Sequence, residues 1–184
     1  EAPIAERFER SFAERMAALK VGDPLDRTTV VGPLARDDLR DALDRQVSES
    51  VAAGARVLAG GARLPGPGFF YAPTVLAGVA PGMRVFDEET FGPVAAVTRA
   101  RDADEAVALA NRSRFGLGAS LWTSDPERGE ALAKDIEAGL VFVNGIVKSD
   151  PRLPFGGIKA SGYGRELSAV GIREFVNVKT VWVG

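Results

Sequence analysis

Between residues 94 and 143, apolar runs and amphipathic stretches alternate, and that alternation constrains the fold more than any other feature of the chain. Residues 94–98 read as a strand. Residues 102–111 read as a helix with Val107 and Leu109 inward. Residues 117–122 read as a second strand. Ser124 or Asp125 caps a further helix, with Pro126 in its first turn, that runs to about residue 137. Residues 140–143 complete a third strand. Strand–helix–strand–helix–strand at this spacing predicts an α/β fold with a parallel sheet and right-handed crossovers.

The first half carries two helical patterns. Ile4, Phe8, Phe12, Met16 and Leu19 form one apolar stripe, which predicts core packing for that face. That helix ends before Val21-Gly22-Asp23-Pro24, a turn sequence. A second helix is expected over residues 35–53, with Leu39, Leu43, Val47 and Val51 in register and Gly54 as its stop. Residues 55–59 suggest a short strand, residues 60–68 a surface loop, and residues 69–79 an extended segment with Pro73 at an edge or kink. After Asn144 the pattern breaks, and Pro151, Pro154, Gly156, Gly157, Gly162 and Gly164 interrupt the chain. A loop that long in a compact domain is usually functional or disordered. A helix over residues 165–175 follows, then an alternating segment at 176–183 that reads as a strand in need of a sheet edge.

The 184 residues include no Cys and no His. Disulfides, thiolate nucleophiles, zinc–thiolate sites and a histidine base are therefore excluded within the chain. Lys and Arg total 23 against 25 Asp and Glu, a net charge of -2 without a basic stripe, so nucleic acid is not an expected partner. No apolar run reaches the roughly 20 residues of a membrane helix, and no signal peptide opens the chain. The expectation is a cytoplasmic protein. A start at Glu1 rather than Met suggests truncation or processing.

Two segments carry candidate chemistry. In Glu88-Glu89-Thr90-Phe91-Gly92-Pro93, an extended backbone would point Glu89 and Phe91 to the same face. A carboxylate can accept two ribose hydroxyls, and a ring can lie against a planar base. The same residues read equally as an acidic strand end before a turn. Asp87, Glu88 and Glu89 are poor support for a metal, and none is expected. The second segment is Pro154-Phe155-Gly156-Gly157-Ile158-Lys159-Ala160-Ser161-Gly162-Tyr163-Gly164-Arg165-Glu166. Its glycines could host a phosphate near a helix start, but it lacks the P-loop spacing and also reads as a structured loop and helix entry.

Taken in order, these segments resemble signatures of the aldehyde dehydrogenase superfamily. Glu89-Thr90-Phe91-Gly92-Pro93 is similar to the family's Glu-x-Phe-Gly-Pro. Asn144 through Glu166 resembles its Asn…Pro-Phe-Gly-Gly-x-Lys-x-Ser-Gly-x-Gly-Arg-Glu stretch. Gly171-Ile172-Arg173-Glu174-Phe175 and Val178-Lys179-Thr180-Val181 also fit. The resemblance implies helices on both faces of the sheet, with residues 1–175 as the carboxy-terminal portion of the catalytic domain and 176–184 as a terminal oligomerisation strand. It implies an NAD- or NADP-dependent enzyme acting on a small aldehyde and assembling as a homodimer or homotetramer.

In that family, aldehyde adds to a cysteine thiolate as a thiohemiacetal, hydride leaves for the nicotinamide, and a glutamate-activated water releases the acid. The resemblance carries over cofactor contacts to Glu89 (the nicotinamide ribose) and Phe91 (the ring). It places Phe155 on the substrate tunnel and gives Asn144 a role in shaping the backbone. The nucleophilic Cys, the base and the oxyanion Asn are expected upstream, so the chain alone is expected to be inactive. Ser149 stands where members acting on succinate semialdehyde carry a Ser that helps hold the substrate carboxylate, which implies that substrate. Arg152 is an in-chain cationic candidate for the same carboxylate and reads at least as well as a solvated loop arginine. The alternative is a non-catalytic assembly or binding module.

Overall fold

Two units organise the computed structural model, residues 1–106 and 107–184, and all 184 residues are described. In the first unit α1 (Ala2–Ala17) starts with Pro3 in its first turn, where a missing N–H costs nothing. Helix α2 (Asp37–Ala52) has Asp37 and Asp38 at its positive end, and Gly54, at φ 110°, turns the chain away after it. Strands β1 (Arg56–Ala59) and β2 (Thr74–Ala77) pair antiparallel, with an irregularity between Val57 and Ala59. A single helical turn, α3 (Arg84–Asp87), precedes β3 (Val94–Val97), which pairs parallel with β2.

The order β1-β2-β3 puts β2 in the middle, and all four of its residues are buried. Alternation places Leu76 on one face and Ala77 on the other. Leu76 joins the core of Leu43, Val47, Ala55, Tyr71, Val79 and Val85, which is the α2 side. Ala77 lies in register with Arg56, whose guanidinium reaches Glu9 of α1, which is the α1 side. Helices therefore cover both faces of this sheet.

The stripe expected to bury α1 does not do so. Ile4 and Phe8 are about half exposed, and the buried residues of the helix are Ala5 and Glu9. The Glu9 carboxylate accepts Nε and Nη2 of Arg99 at 2.7 and 2.8 Å, and Arg56 lies 3.7 Å away. Two cationic side chains on that face of the sheet turn the helix so that its carboxylate, not its phenyl rings, faces inward. Phe8 and Phe12 instead pack on each other, ring centres 5.4 Å apart.

Helix α4 (Ala103–Asn111) carries the chain into the second unit. Strands β4 (Phe115–Gly116) and β5 (Gly118–Leu121) follow, then α5 (Pro126–Ala133), capped by the Asp125 carboxylate accepting Arg128 N–H at 3.0 Å. Strand β6 (Leu140–Val143) pairs parallel with β5, as a β-α-β unit should. Helix α5 packs against β6, and a Cβ at Gly129 would lie 2.8 Å from a Val143 methyl. Strand β7 (Ile158–Lys159) returns to pair antiparallel with β4.

The parallel pairings expected from the alternation are present, but as β2–β3 and β5–β6 in separate sheets rather than one ladder from β3 through β6. Helix α6 (Ser168–Glu174) starts three residues late because Glu166 is tied to Phe155 by two backbone hydrogen bonds and Leu167 has φ 61°, outside the right-handed helical region. Residues 176–184 pair with nothing in the chain, and Val178, Trp182 and Val183 are largely exposed.

Candidate functional site

The Glu88–Pro93 segment is not a strand, contrary to expectation; it is an irregular link between α3 and β3. Its backbone is nevertheless fixed. Gln46 of α2 donates from Nε2 to the Glu89 carbonyl at 3.2 Å and to the Glu88 carboxylate at 3.0 Å. Gly92 N–H donates to the Thr90 carbonyl, and Val94 N–H to the Gly92 carbonyl, both at 2.8 Å. Thr74 N–H holds the Pro93 carbonyl at 2.8 Å. Gly92 is required because a Cβ there would sit 2.5 Å from a Leu43 methyl in the core.

Three restraints thus bend the chain so that Glu89 and Phe91 project outward, with Phe91 72% exposed. Both carboxylates are exposed, but Glu88 is engaged by Gln46 and by Arg84, 3.7 Å away, so of the acidic pair Glu89 is the one whose carboxylate is not already engaged. An open carboxylate and an uncovered ring on a tethered turn suit a sugar diol and a planar heterocycle.

Asn144, Ser149 and Phe155 belong to the second unit. Asn144 ends β6 at φ 54°. Its N–H donates to the Leu121 carbonyl at 2.7 Å, and its Oδ1 accepts Thr123 N–H at 2.9 Å. An Asn tolerates this left-handed backbone better than most residues and here closes the ends of β5 and β6 together.

The segment beyond it has no regular structure until β7, yet it is pinned at three places. The Asp150 carboxylate accepts the N–H, Nε and Nη2 of Arg152 at 2.9, 2.9 and 2.6 Å. Ser168 N–H donates to the Pro151 carbonyl at 3.0 Å. Phe155 and Glu166 exchange two backbone hydrogen bonds of 2.8 and 2.7 Å. Ser149 is exposed and Phe155 half-buried. The hydrogen bonds from Arg152 pull the Asp150 carboxyl down to about 2. Arg152, read from sequence as a possible carboxylate anchor, therefore spends Nε and Nη2 inside its own loop.

The glycine-rich motif after Phe155 is mostly a brace. Lys159, at φ 56°, donates from Nζ to the carbonyls of Asn111 and Ser113 at 2.8 and 3.1 Å and lies 2.6 Å from the Glu137 carboxylate. It caps the carboxy-terminal end of α4. Arg165 donates to the carbonyls of Gly157 and Gly164 at 2.9 and 2.7 Å. A cavity of about 450 Å³ adjoins this brace, bordered by Leu117, Phe155, Tyr163 and Phe175.

Glu89 with Phe91, and Ser149 with Phe155, are each presented within their own unit. Asp150 and Gln46 were missed as contributors. An Asp two residues before an Arg at a proline turn is the signal that could have revealed the first. No cluster of three Asp or Glu side chains could hold a metal, and no helix is long and apolar enough to cross a membrane.

A model of the aldehyde dehydrogenase family matches residues 1–181. Succinate-semialdehyde dehydrogenase [NADP+] 1 of Mycobacterium ulcerans is 54% identical over 183 residues, which is 100% of this chain and 40% of that protein. The enzyme of that name from Mycobacterium tuberculosis is 53% identical over 182 residues, again 40% of its length. Among solved structures, succinic semialdehyde dehydrogenase from Streptococcus pyogenes with NADP+ superposes with a TM-score of 0.94 at 36% identity. That match covers 98% of this chain and 40% of the other. The chain thus spans about two-fifths of the length of these relatives.

Proposed function

Because the chain belongs to the aldehyde dehydrogenase family, we propose that it is the carboxy-terminal part of a subunit that oxidises succinate semialdehyde to succinate with NADP+. The observation that carries the substrate is Ser149, an exposed hydroxyl ahead of Phe155 on a pinned loop, in a chain similar to mycobacterial enzymes that bear that activity in their names. A hydroxyl donates to a carboxylate, and a charged acceptor makes that bond worth more than a neutral one.

Each residue then has a task. Glu89 accepts the hydroxyls of the nicotinamide ribose, and Phe91 lies along the nicotinamide ring. Bound NADP+ supplies the hydride acceptor. Phe155 narrows the tunnel beside the aldehyde carbon, and Ser149 donates to the distal carboxylate, so that the aldehyde end faces the nucleophile. That nucleophile is a cysteine thiolate contributed by residues outside these 184, because the chain contains no Cys. The chain alone is therefore inactive. The unpaired 176–184 segment supplies an edge for assembly as a homodimer or homotetramer, supported by its alternation and its exposed valines and Trp182.

The test assays the whole subunit with succinate semialdehyde and NADP+. Succinate and NADPH formed one to one are expected, with no turnover by the 184-residue chain. Turnover by the chain alone, or none by the whole subunit, overturns the proposal.

A further inference from the structure

An exposed ion pair ordinarily contributes little, because both side chains lose freedom to meet in strong dielectric. The Asp150–Arg152 pair differs in how it is built. One carboxylate gathers three donors from a single residue two positions on, and one of them is a backbone N–H. The Asp150 carbonyl also accepts Leu153 N–H at 2.9 Å. Residues 150–153 therefore form a closed turn held by both the side chain and the main chain of Asp150. The turn sits between two fixed points, Asn144 at the end of β6 and Phe155 in its bridge to Glu166. Ser149 is the residue directly before it. A loop of this composition without such a turn would have to be ordered each time a ligand bound, at a cost in conformational entropy.

We infer that Asp150 is a positioning residue: its clasp on Arg152 holds the 149–155 segment in the shape that presents the Ser149 hydroxyl to the distal carboxylate of the substrate. The inference rests on the proposed function and goes beyond it by assigning Asp150 and by removing Arg152 from direct contact with substrate. The depressed Asp150 carboxyl keeps the clasp charged throughout the neutral range. Because the clasp orders the loop before substrate arrives, its loss acts on ground-state and transition-state binding alike. It shows in KM more than in kcat.

The two roles for Arg152 predict opposite signs. If Arg152 touched the substrate, freeing it from Asp150 would tighten binding. If Arg152 serves the clasp, loss of either partner weakens binding equally.

The experiment uses the whole subunit as wild type, Asp150→Asn, Arg152→Gln and the double variant, with succinate semialdehyde and with butanal, its uncharged four-carbon counterpart. Hydrogen exchange of the 149–155 segment is followed in each. The expected result is a KM for succinate semialdehyde raised about fivefold in each single variant and no further in the double. The expected kcat is near wild type, KM for butanal moves little, and the segment exchanges faster in all three variants. An unchanged KM in Asp150→Asn, or a lowered one beside a raised one in Arg152→Gln, overturns the inference while leaving the proposed function standing. A wild-type subunit inactive on succinate semialdehyde overturns the proposed function itself, and the inference falls with it.

Discussion

Gly139, the residue before β6, tests how tightly the fold holds the loop that carries Phe155. Its N–H donates to the Gly116 carbonyl at 3.0 Å, which fixes it from one side. On the other side, a Cβ at Gly139 would fall on the Gly156 carbonyl oxygen, 2.8 Å from its carbonyl carbon and 3.2 Å from Gly157 Cα, where real Cβ atoms do not come within 3.0 Å. All three atoms are backbone, so no side chain can swing aside. The Gly156–Gly157 stretch cannot drift freely either: the Phe155–Glu166 bridge and the Arg165 hydrogen bond to the Gly157 carbonyl tether it.

In Gly139→Ala one strand or the other must retreat by about 1 Å in a densely packed region. Such overpacking costs about 3 kcal/mol, the upper part of its usual range. That is a large share of the 5–15 kcal/mol, roughly, that holds most domains folded. Both tryptophans, Trp122 and Trp182, lie in the second unit, so urea unfolding followed by their fluorescence reads this unit. Gly162→Ala, in the same unit, is the control. It has φ 119° but nothing within 4 Å of the added Cβ, so it carries backbone strain without collision. A Gly139→Ala midpoint shift worth less than about 1 kcal/mol at unchanged slope would refute the packing argument.

The acidic pair before Phe91 separates binding from support. Glu89→Gln in the whole subunit should raise KM for NADP+ about tenfold, the loss expected when a charged acceptor becomes neutral. Glu88→Gln should leave that KM alone and lower thermal stability instead, since Glu88 answers Gln46 and Arg84. Equal effects of the two on KM would contradict the assignment. Acid titration tests the clasp. A carboxyl held below its unfolded value stabilises the loop above the ordinary Asp range and loses that contribution as pH falls toward about 2. The Asp150 carboxyl resonance, followed by NMR, should titrate near 2 and shift upward in Arg152→Gln; ordinary titration in the wild type contradicts the clasp.

What was legible in the sequence is what short-range chemistry decides. Asp125-Pro126 marked the start of α5 because cap and first turn are neighbours, and Gly54 marked the end of α2 for the same reason. The motif residues Glu89, Phe91 and Ser149 are all exposed, as side chains meant for a ligand must be. The orientation of α1 was not legible. Its apolar stripe argued for Phe8 inward, while the residue that buries is Glu9, chosen by Arg99 at a separation of 90 residues. Helix α3 has four residues, too few to display a helical period. The strand expected through Glu89 failed because Gln46 and the Gly92 turn take the hydrogen bonds a ladder would need. The 176–184 segment alternates like a strand, but a strand exists only with its partner, and this chain holds none.

If this chain supplies the wall proposed to select succinate semialdehyde, Ser149 carries that selection. The measurement is the ratio of kcat/KM for succinate semialdehyde to that for butanal, with NADP+, in the whole subunit and in Ser149→Ala. The wild type should favour the semialdehyde, and the variant should lose about tenfold of that preference, as expected for one hydrogen bond to a charged group. A ratio unchanged by the substitution, or a wild type that prefers butanal, would contradict the account.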